Sequence, residues 1–137
     1  KMQQTKIKCS NKELVNLLQG LYGVQALKGL KFALSVSKNV KILRDELEDI
    51  ELAATPSPEF IELSRQVAEL EKTNNSKGIK KLEKENKKLV EDRKKQLAEL
   101  EELMKEETEV QVVSIAEETL PTDITAGQLT GIQTLIK

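Results

Sequence analysis

The chain has no histidine and no tryptophan, a single cysteine (Cys9) and only three aromatic residues, Tyr22, Phe32 and Phe60. Each absence excludes a class of chemistry. Without histidine there is no His-based triad, no usual proton shuttle near neutral pH and no imidazole metal site. One cysteine makes no internal disulfide and no thiolate zinc cluster, which fits a reducing compartment. Long apolar runs are missing too. The most apolar stretch, residues 14–36, is interrupted by Lys28 and Lys31 and loosened by Gly20, Gly23 and Gly29, whereas a bilayer-spanning helix needs about 20 uncharged apolar residues. Residues 1–5 do not place a charged region before an apolar one, so no signal peptide is expected in the sequence as it stands. Lys1 before Met2 leaves room for residues upstream. A cytoplasmic location is expected. Neither sign of charge dominates, with 22 Lys+Arg against 23 Asp+Glu, which argues against bulk capture of nucleic acid or an anionic membrane.

What is present is charge and helical periodicity. The 137 residues suit one domain, and 33% of them are charged. Lys6 to Cys9 alternate polar and apolar, a short strand. Ser10 with Glu13 three residues on is a capping-box signature, opening a helix over 11–27 within a base segment 1–29. Over residues 30–54, Ala33, Val36, Val40, Leu43, Leu47, Ile50 and Ala54 are spaced alternately three and four apart, a coiled-coil seam. Thr55-Pro56-Ser57-Pro58 stops it. Ser57 as N-cap and Pro58 at the first helical position restart a helix carrying Phe60, Leu63, Val67 and Leu70 on one face. Asn74 to Gly78 reads as a loop. A second long helix is predicted over 79–107, with Asn86 and Arg93 as polar residues on its seam. Residues 109–115 are β-branched and predict a strand. Thr125 with Gln128 opens a terminal helix bearing Leu129, Ile132, Leu135 and Ile136.

Charge blocks suggest how the long helices pair. Residues 28–44 hold five basic residues and no acid, and residues 45–51 hold five acids and no base. Residues 77–95 are basic by nine to four, and residues 99–109 acidic by six to one. An antiparallel alignment sets 28–44 against 93–109 and 45–51 against 86–92, whereas a parallel one would set basic on basic. It also brings Lys6 and Lys8 to Glu109 across a two-stranded ribbon. The expected fold is therefore mainly α: an antiparallel helical hairpin, a coiled-coil stalk about 38 Å long at 1.5 Å per residue. Its arms are 30–54 and 79–107 and its tip is 55–78. The base joins a small two-stranded β ribbon to short helices, with 108–137 as strand plus terminal helix. An alternative makes 58–73 the third helix of a bundle.

No catalytic, cofactor or metal site is predicted. Asp45, Glu46, Glu48 and Asp49 belong to a solvated helix face, without the burial or cleft that general acid–base work requires. No DxDxDG, GxxxxGK[ST] or GxGxxG motif occurs. Cys9 on the apolar face of a short strand reads as packing, with no cationic activator beside it. The basic run from Lys77 to Lys95 is a candidate track along a nucleic-acid backbone, represented by Lys84, Lys87 and Lys88. It is interleaved with acids and has no aromatic residue for stacking, so a solvated face is the plainer reading. The surfaces expected to dock a protein partner or a second copy are Phe60, Leu63, Val67 and Leu70 at the tip, and Leu129, Ile132, Leu135 and Ile136 at the end. The plainer reading for each is packing within the monomer.

The order KFALSVSKNVKILRDELEDIE, then KKQLAELEELMKEETEVQVVSI, then LPTDITAGQLTGIQTLI resembles a group of small bacteriophage proteins. They share a helix of the form FAxxxSKNxKxLxxEL, a returning acidic helix running into a strand, and a closing LPxxITxxxLxxIxxLI element. The resemblance covers most of the chain except 55–78. It implies a phage setting and assigns no activity and no site residue. The expected function is non-enzymatic protein–protein interaction, in virion assembly or as a structural component. The alternative is a factor that binds and modulates a host protein; nucleic-acid binding through the lysine-rich helix is third. No cofactor, membrane or small-molecule substrate is expected. The host cytoplasm is the expected location, with the virion as the second.

Overall fold

The structure, a computed structural model, describes residues 2–137. The chain is mainly helical, 69% of it when the short 3₁₀ turns are included, with six α-helices and a small two-stranded antiparallel sheet among the described residues. It divides into two compact units, one made of the chain up to Asp49 together with Leu103–Lys137, the other of Ile50–Glu102.

In the first unit, β1 (Gln4–Ser10) pairs antiparallel with β2 (Glu107–Val113), with Ile7 opposite Val110 and Lys8 opposite Glu109. Alternation decides the two faces. Val110 and Val112 are buried, while Lys6, Lys8, Glu109 and Gln111 are exposed, and Lys6 Nζ lies 3.7 Å from Glu109. α1 (Asn11–Tyr22) starts on the expected box: Glu13 N–H donates to Ser10 Oγ at 3.1 Å and Ser10 N–H to Glu13 Oε1 at 2.8 Å. It buries Leu14, Leu17 and Leu21 and ends five residues before the expected 27. The reason is local: Gly23 caps it and residues 23–26 form turns.

α2 (Leu30–Ala54) is entered from Gly29 at φ +129, a conformation that L side chains rarely adopt. Its buried stripe is Phe32, Ser35, Val36, Asn39, Val40, Leu43 and Leu47. Asn39 is fully buried; its Nδ2 donates to the Val113 carbonyl and its Oδ1 accepts from the Val113 N–H, both at 2.8 Å. The last residue of β2 is thus held on its outer side by a side chain in place of a third strand. α6 (Ala126–Ile132) opens on the expected Thr125–Gln128 box. Its Gly131 meets Gly20 of α1 so closely that a Cβ at Gly20 would run into the Gly131 carbonyl. A 3₁₀ turn, Gln133–Leu135, then lets the end of the chain bridge back: Ile115 N–H donates to Leu135 at 2.8 Å and Lys137 N–H to Ile115 at 3.0 Å.

The second unit holds the last turn of α2, then α3 (Pro58–Lys72), α4 (Ser76–Glu85) and most of α5 (Lys87–Lys105). α3 starts as predicted, with Phe60 N–H donating to Ser57 Oγ at 3.2 Å and Pro58 in the first turn. The single helix expected over 79–107 is instead two helices that break at Asn86, φ −115 and ψ 31. Asn86 Nδ2 donates to the Leu82 carbonyl at 2.8 Å, and its N–H reaches the Leu82 and Glu83 carbonyls. The asparagine therefore satisfies the end of α4 and stops the ladder, where the heptad reading kept it inside a helix. The expected loop at 74–78 shortens, because Asn75 caps α4 by accepting from Gly78 N–H at 2.8 Å.

Candidate partner-binding site

Burial is distributed unevenly between the units. Of the buried hydrophobic side chains among the described residues, Leu63 is the single one in Ile50–Glu102. α4 and α5 bury none. Their apolar residues Ile79, Leu82, Leu89, Val90 and Leu100 are half-covered, and Leu97 is 45% exposed.

The tip residues of the sequence reading sit on α3. Leu63 is buried at 6% exposure, and Phe60, Val67 and Leu70 are half-buried. Leu63 also lines a groove of about 410 Å³ with Pro58, Glu59, Glu62, Asn86 and Leu89. Pro58, Leu63 and Leu89 give it apolar surface and the two glutamates give it negative charge. The Glu62 carboxyl sits below its ordinary range because it accepts hydrogen bonds from Arg65, whose Nη2 is 2.6 Å from Oε1.

Arg93 joins the parts of this unit. Its Nη1 donates to the Ala54 carbonyl at 2.9 Å and to Gln96 Oε1 at 2.8 Å, and its guanidinium lies 5.8 Å from the Phe60 ring centroid. Gln96 Nε2 donates to the Ala53 and Thr55 carbonyls at 2.8 and 3.0 Å. A cation and an amide thereby satisfy the carbonyls that the end of α2 leaves without helical partners. The charge-block alignment placed Arg93 opposite Arg44; the structure places it at Ala54. Capping a helix end fixes a geometry, whereas exposed charge pairs are worth only about 0.2–1 kcal/mol each.

The terminal stripe is split. Ile132 and Leu135 are fully buried in the first unit, Ile136 is half-buried and Leu129 is 36% exposed. Ile132 and Leu135 are therefore core, closed to a partner, and the expected docking face shrinks to Leu129 and the rim of Ile136. Lys84, Lys87 and Lys88 are exposed on either side of the Asn86 break, and Lys87 lies 4.0 Å from Glu91.

Cys9 is half-buried. Burial, then the carboxylates of Glu13 and Glu107, push its thiol up from the ordinary value, which disfavours the reactive thiolate. Among the described residues no group of three acids or Cys is placed to hold a metal ion, and no helix is long and apolar enough to cross a membrane. The sequence reading missed Asn39, Gln96 and Ser114. Asn39 carried a signal, a polar residue beside Val40 of the seam; the other two announce themselves only through the chain segments they meet. Comparison with known proteins finds no matching family model, no matching curated protein and no matching solved structure.

Proposed function

We propose that the chain is a phage-encoded, non-enzymatic protein–protein interaction protein acting in virion assembly or as a structural component, with Ile50–Glu102 as its docking part. One observation carries this reading: that unit keeps a single buried hydrophobic side chain while its helices hold a row of half-covered ones. Burial supplies roughly 25 cal/mol per Å² of apolar surface, so a partner laid along the α3 groove adds stabilisation that the unit lacks alone. The glutamates at the groove favour a partner with basic residues beside its apolar ones. The accompanying fold reading keeps α2 and α5 as antiparallel arms of a coiled-coil hairpin, supported by the grip of Arg93 and Gln96 on the end of α2. The phage setting rests on the resemblance of the closing element, and the host cytoplasm or the virion follows from it.

The test is affinity capture from a phage-infected bacterial lysate, nuclease-treated and washed at two salt concentrations, comparing the wild-type chain with Glu59→Lys and Leu89→Glu. The reading expects virion proteins or self-copies retained by the wild type and lost from both variants. Retention of one host protein at near-equal stoichiometry, lost from the same variants, selects the host-factor alternative. Equal capture by all three chains refutes this surface. A second reading, nucleic-acid binding, is favoured by the exposure of Lys84, Lys87 and Lys88. It expects salt-sensitive retardation of DNA or RNA that charge reversal at these three positions removes.

A further inference from the structure

The sheet of the first unit has one edge that the fold leaves open. In an antiparallel pair, alternate residues turn their backbone groups toward the partner strand and the residues between them turn theirs away. Ser114 N–H donates to the Gln3 carbonyl at 2.8 Å and Asn11 N–H to the Glu106 carbonyl at 2.9 Å, one just beyond each end of the paired register. Thr5, Ile7 and Cys9 therefore face β2 with their backbone groups, and Gln4, Lys6, Lys8 and Ser10 point theirs outward. Two contacts agree with this phase. Val113, opposite Gln4, gives both of its backbone groups to Asn39 on the far side of β2, and the outward N–H of Ser10 goes to Glu13 Oε1 at 2.8 Å. β2 is the only strand beside β1 among the described residues, so the outward N–H and C=O groups of Gln4, Lys6 and Lys8 have no ladder partner.

The side chains along this edge say what fits there. Lys6 and Lys8 are exposed on the outer face of the sheet. On the inner face Ile7 and Cys9 are only half-buried, whereas Val110 and Val112 of β2 are 4% and 0% exposed, so the cover of the core runs out at β1. A strand added at the edge would lay apolar residues beside Ile7 and Cys9 and set acids opposite Lys6 and Lys8. β2 has this composition on the other side: Glu109 lies opposite Lys8 and 3.7 Å from Lys6 Nζ, and Val110 lies opposite Ile7. A second copy does not fit. Pairing β1 antiparallel with its own equivalent brings lysine beside lysine. The charge that keeps copies apart leaves the edge open to an acidic strand.

We infer that the outer edge of β1 takes up, as a third strand, an extended segment of a partner protein in which acidic and apolar residues alternate, its acids facing Lys6 and Lys8. The test adds capped synthetic peptides to the full isotope-labelled chain and follows amide signals and hydrogen exchange. One peptide has the sequence of Glu107–Val113; the other is the same peptide with Glu107→Lys and Glu109→Lys. With the acidic peptide, saturable shifts confined to residues 3–10 are expected, and exchange of the Lys6 and Lys8 amides should slow about tenfold or more at saturation. The lysine peptide should bind about fivefold more weakly or worse. Lys6→Glu combined with Lys8→Glu should reverse the order of the two peptides. Lys8→Pro removes an outward N–H that the fold does not use and should abolish binding in a chain that still folds; if that variant does not fold, the double charge reversal carries the test. Shifts that do not saturate, equal binding of both peptides, or shifts centred on α3 overturn the proposal. So do changes at residues 107–113 without protection of Lys6 and Lys8, which would mean that the peptide displaces β2, and a peptide-free dimer that protects the same two amides.

Discussion

Asn39 shows how one side chain closes a small sheet. A two-stranded ribbon leaves a free edge on each strand, and at Val113 that edge is buried against α2, where an unpaired N–H and C=O would each cost about 1–3 kcal/mol. The Asn39 carboxamide meets both groups at 2.8 Å. Asn39→Ala should therefore lower unfolding stability by roughly 2–4 kcal/mol, read from the midpoint of a urea titration at constant slope. A loss under about 1 kcal/mol would mean that water replaces the amide without penalty. The sequence did not reveal this role, because its partner is a backbone group 74 residues away and Asn39 lies beside the heptad positions rather than on them. The Ser10–Glu13 box was legible because both partners lie within one turn. It also titrates. Hydrogen bonds from the Ser10 backbone and then its hydroxyl pull the Glu13 carboxyl below the ordinary glutamate range. A lowered folded pKa contributes stability that is fully present above the unfolded value of about 4.3 and is lost as pH falls through the folded value. The stability gap between wild type and Glu13→Gln should accordingly shrink as pH is lowered through that window. A gap that stays constant would show that the carboxylate charge contributes nothing to the cap.

Among elements, the crossing of α1 and α6 is set by two glycines. Gly20→Ala gains about 1 kcal/mol of helix propensity, but its Cβ has the Gly131 carbonyl carbon at 2.7 Å, and overpacking of backbone costs about 1–3 kcal/mol. The clash should win, giving net destabilisation in thermal or urea melts. Gly127→Ala, in the same short helix with nothing within 4 Å of its Cβ, should stabilise by up to about 1 kcal/mol. If the two substitutions behaved alike, the close approach of α1 and α6 would be wrong. The elements themselves were largely legible. Capping residues marked the starts of α1, α3 and α6, period-two alternation marked the first strand and β-branched content the second. What escaped were the stops. Asn86 breaks a run whose apolar spacing continues past it, because its side chain bonds the carbonyl of Leu82. Gly20, which weakens a helix and whose missing side chain suits close helix packing, is the point where α1 and α6 touch.

At the scale of the molecule, the sequence pointed to one domain whose two heptad seams cover each other. The observed division follows from where apolar residues find company. Phe32 to Leu47 of α2 are buried in the same unit as β2, α1 and α6, whereas α4 and α5 bury none of their side chains completely. Periodicity reports which face of a helix is apolar but not what covers it, so the docking surface could not be read from spacing.

The ribbon has a consequence in time. β1 and its partner lie far apart in the chain, so that Gln4 meets Gln111 at a separation of 107 positions. Closing a loop of that size sacrifices chain entropy before any contact rewards it. The helices of Ile50–Glu102 are local in sequence and can form while the ribosome still holds the residues that complete the sheet. β1 and α1, emerging first, must wait with their apolar faces open until β2 arrives, and in the cell that interval is when the chain is most exposed to aggregation and to chaperones.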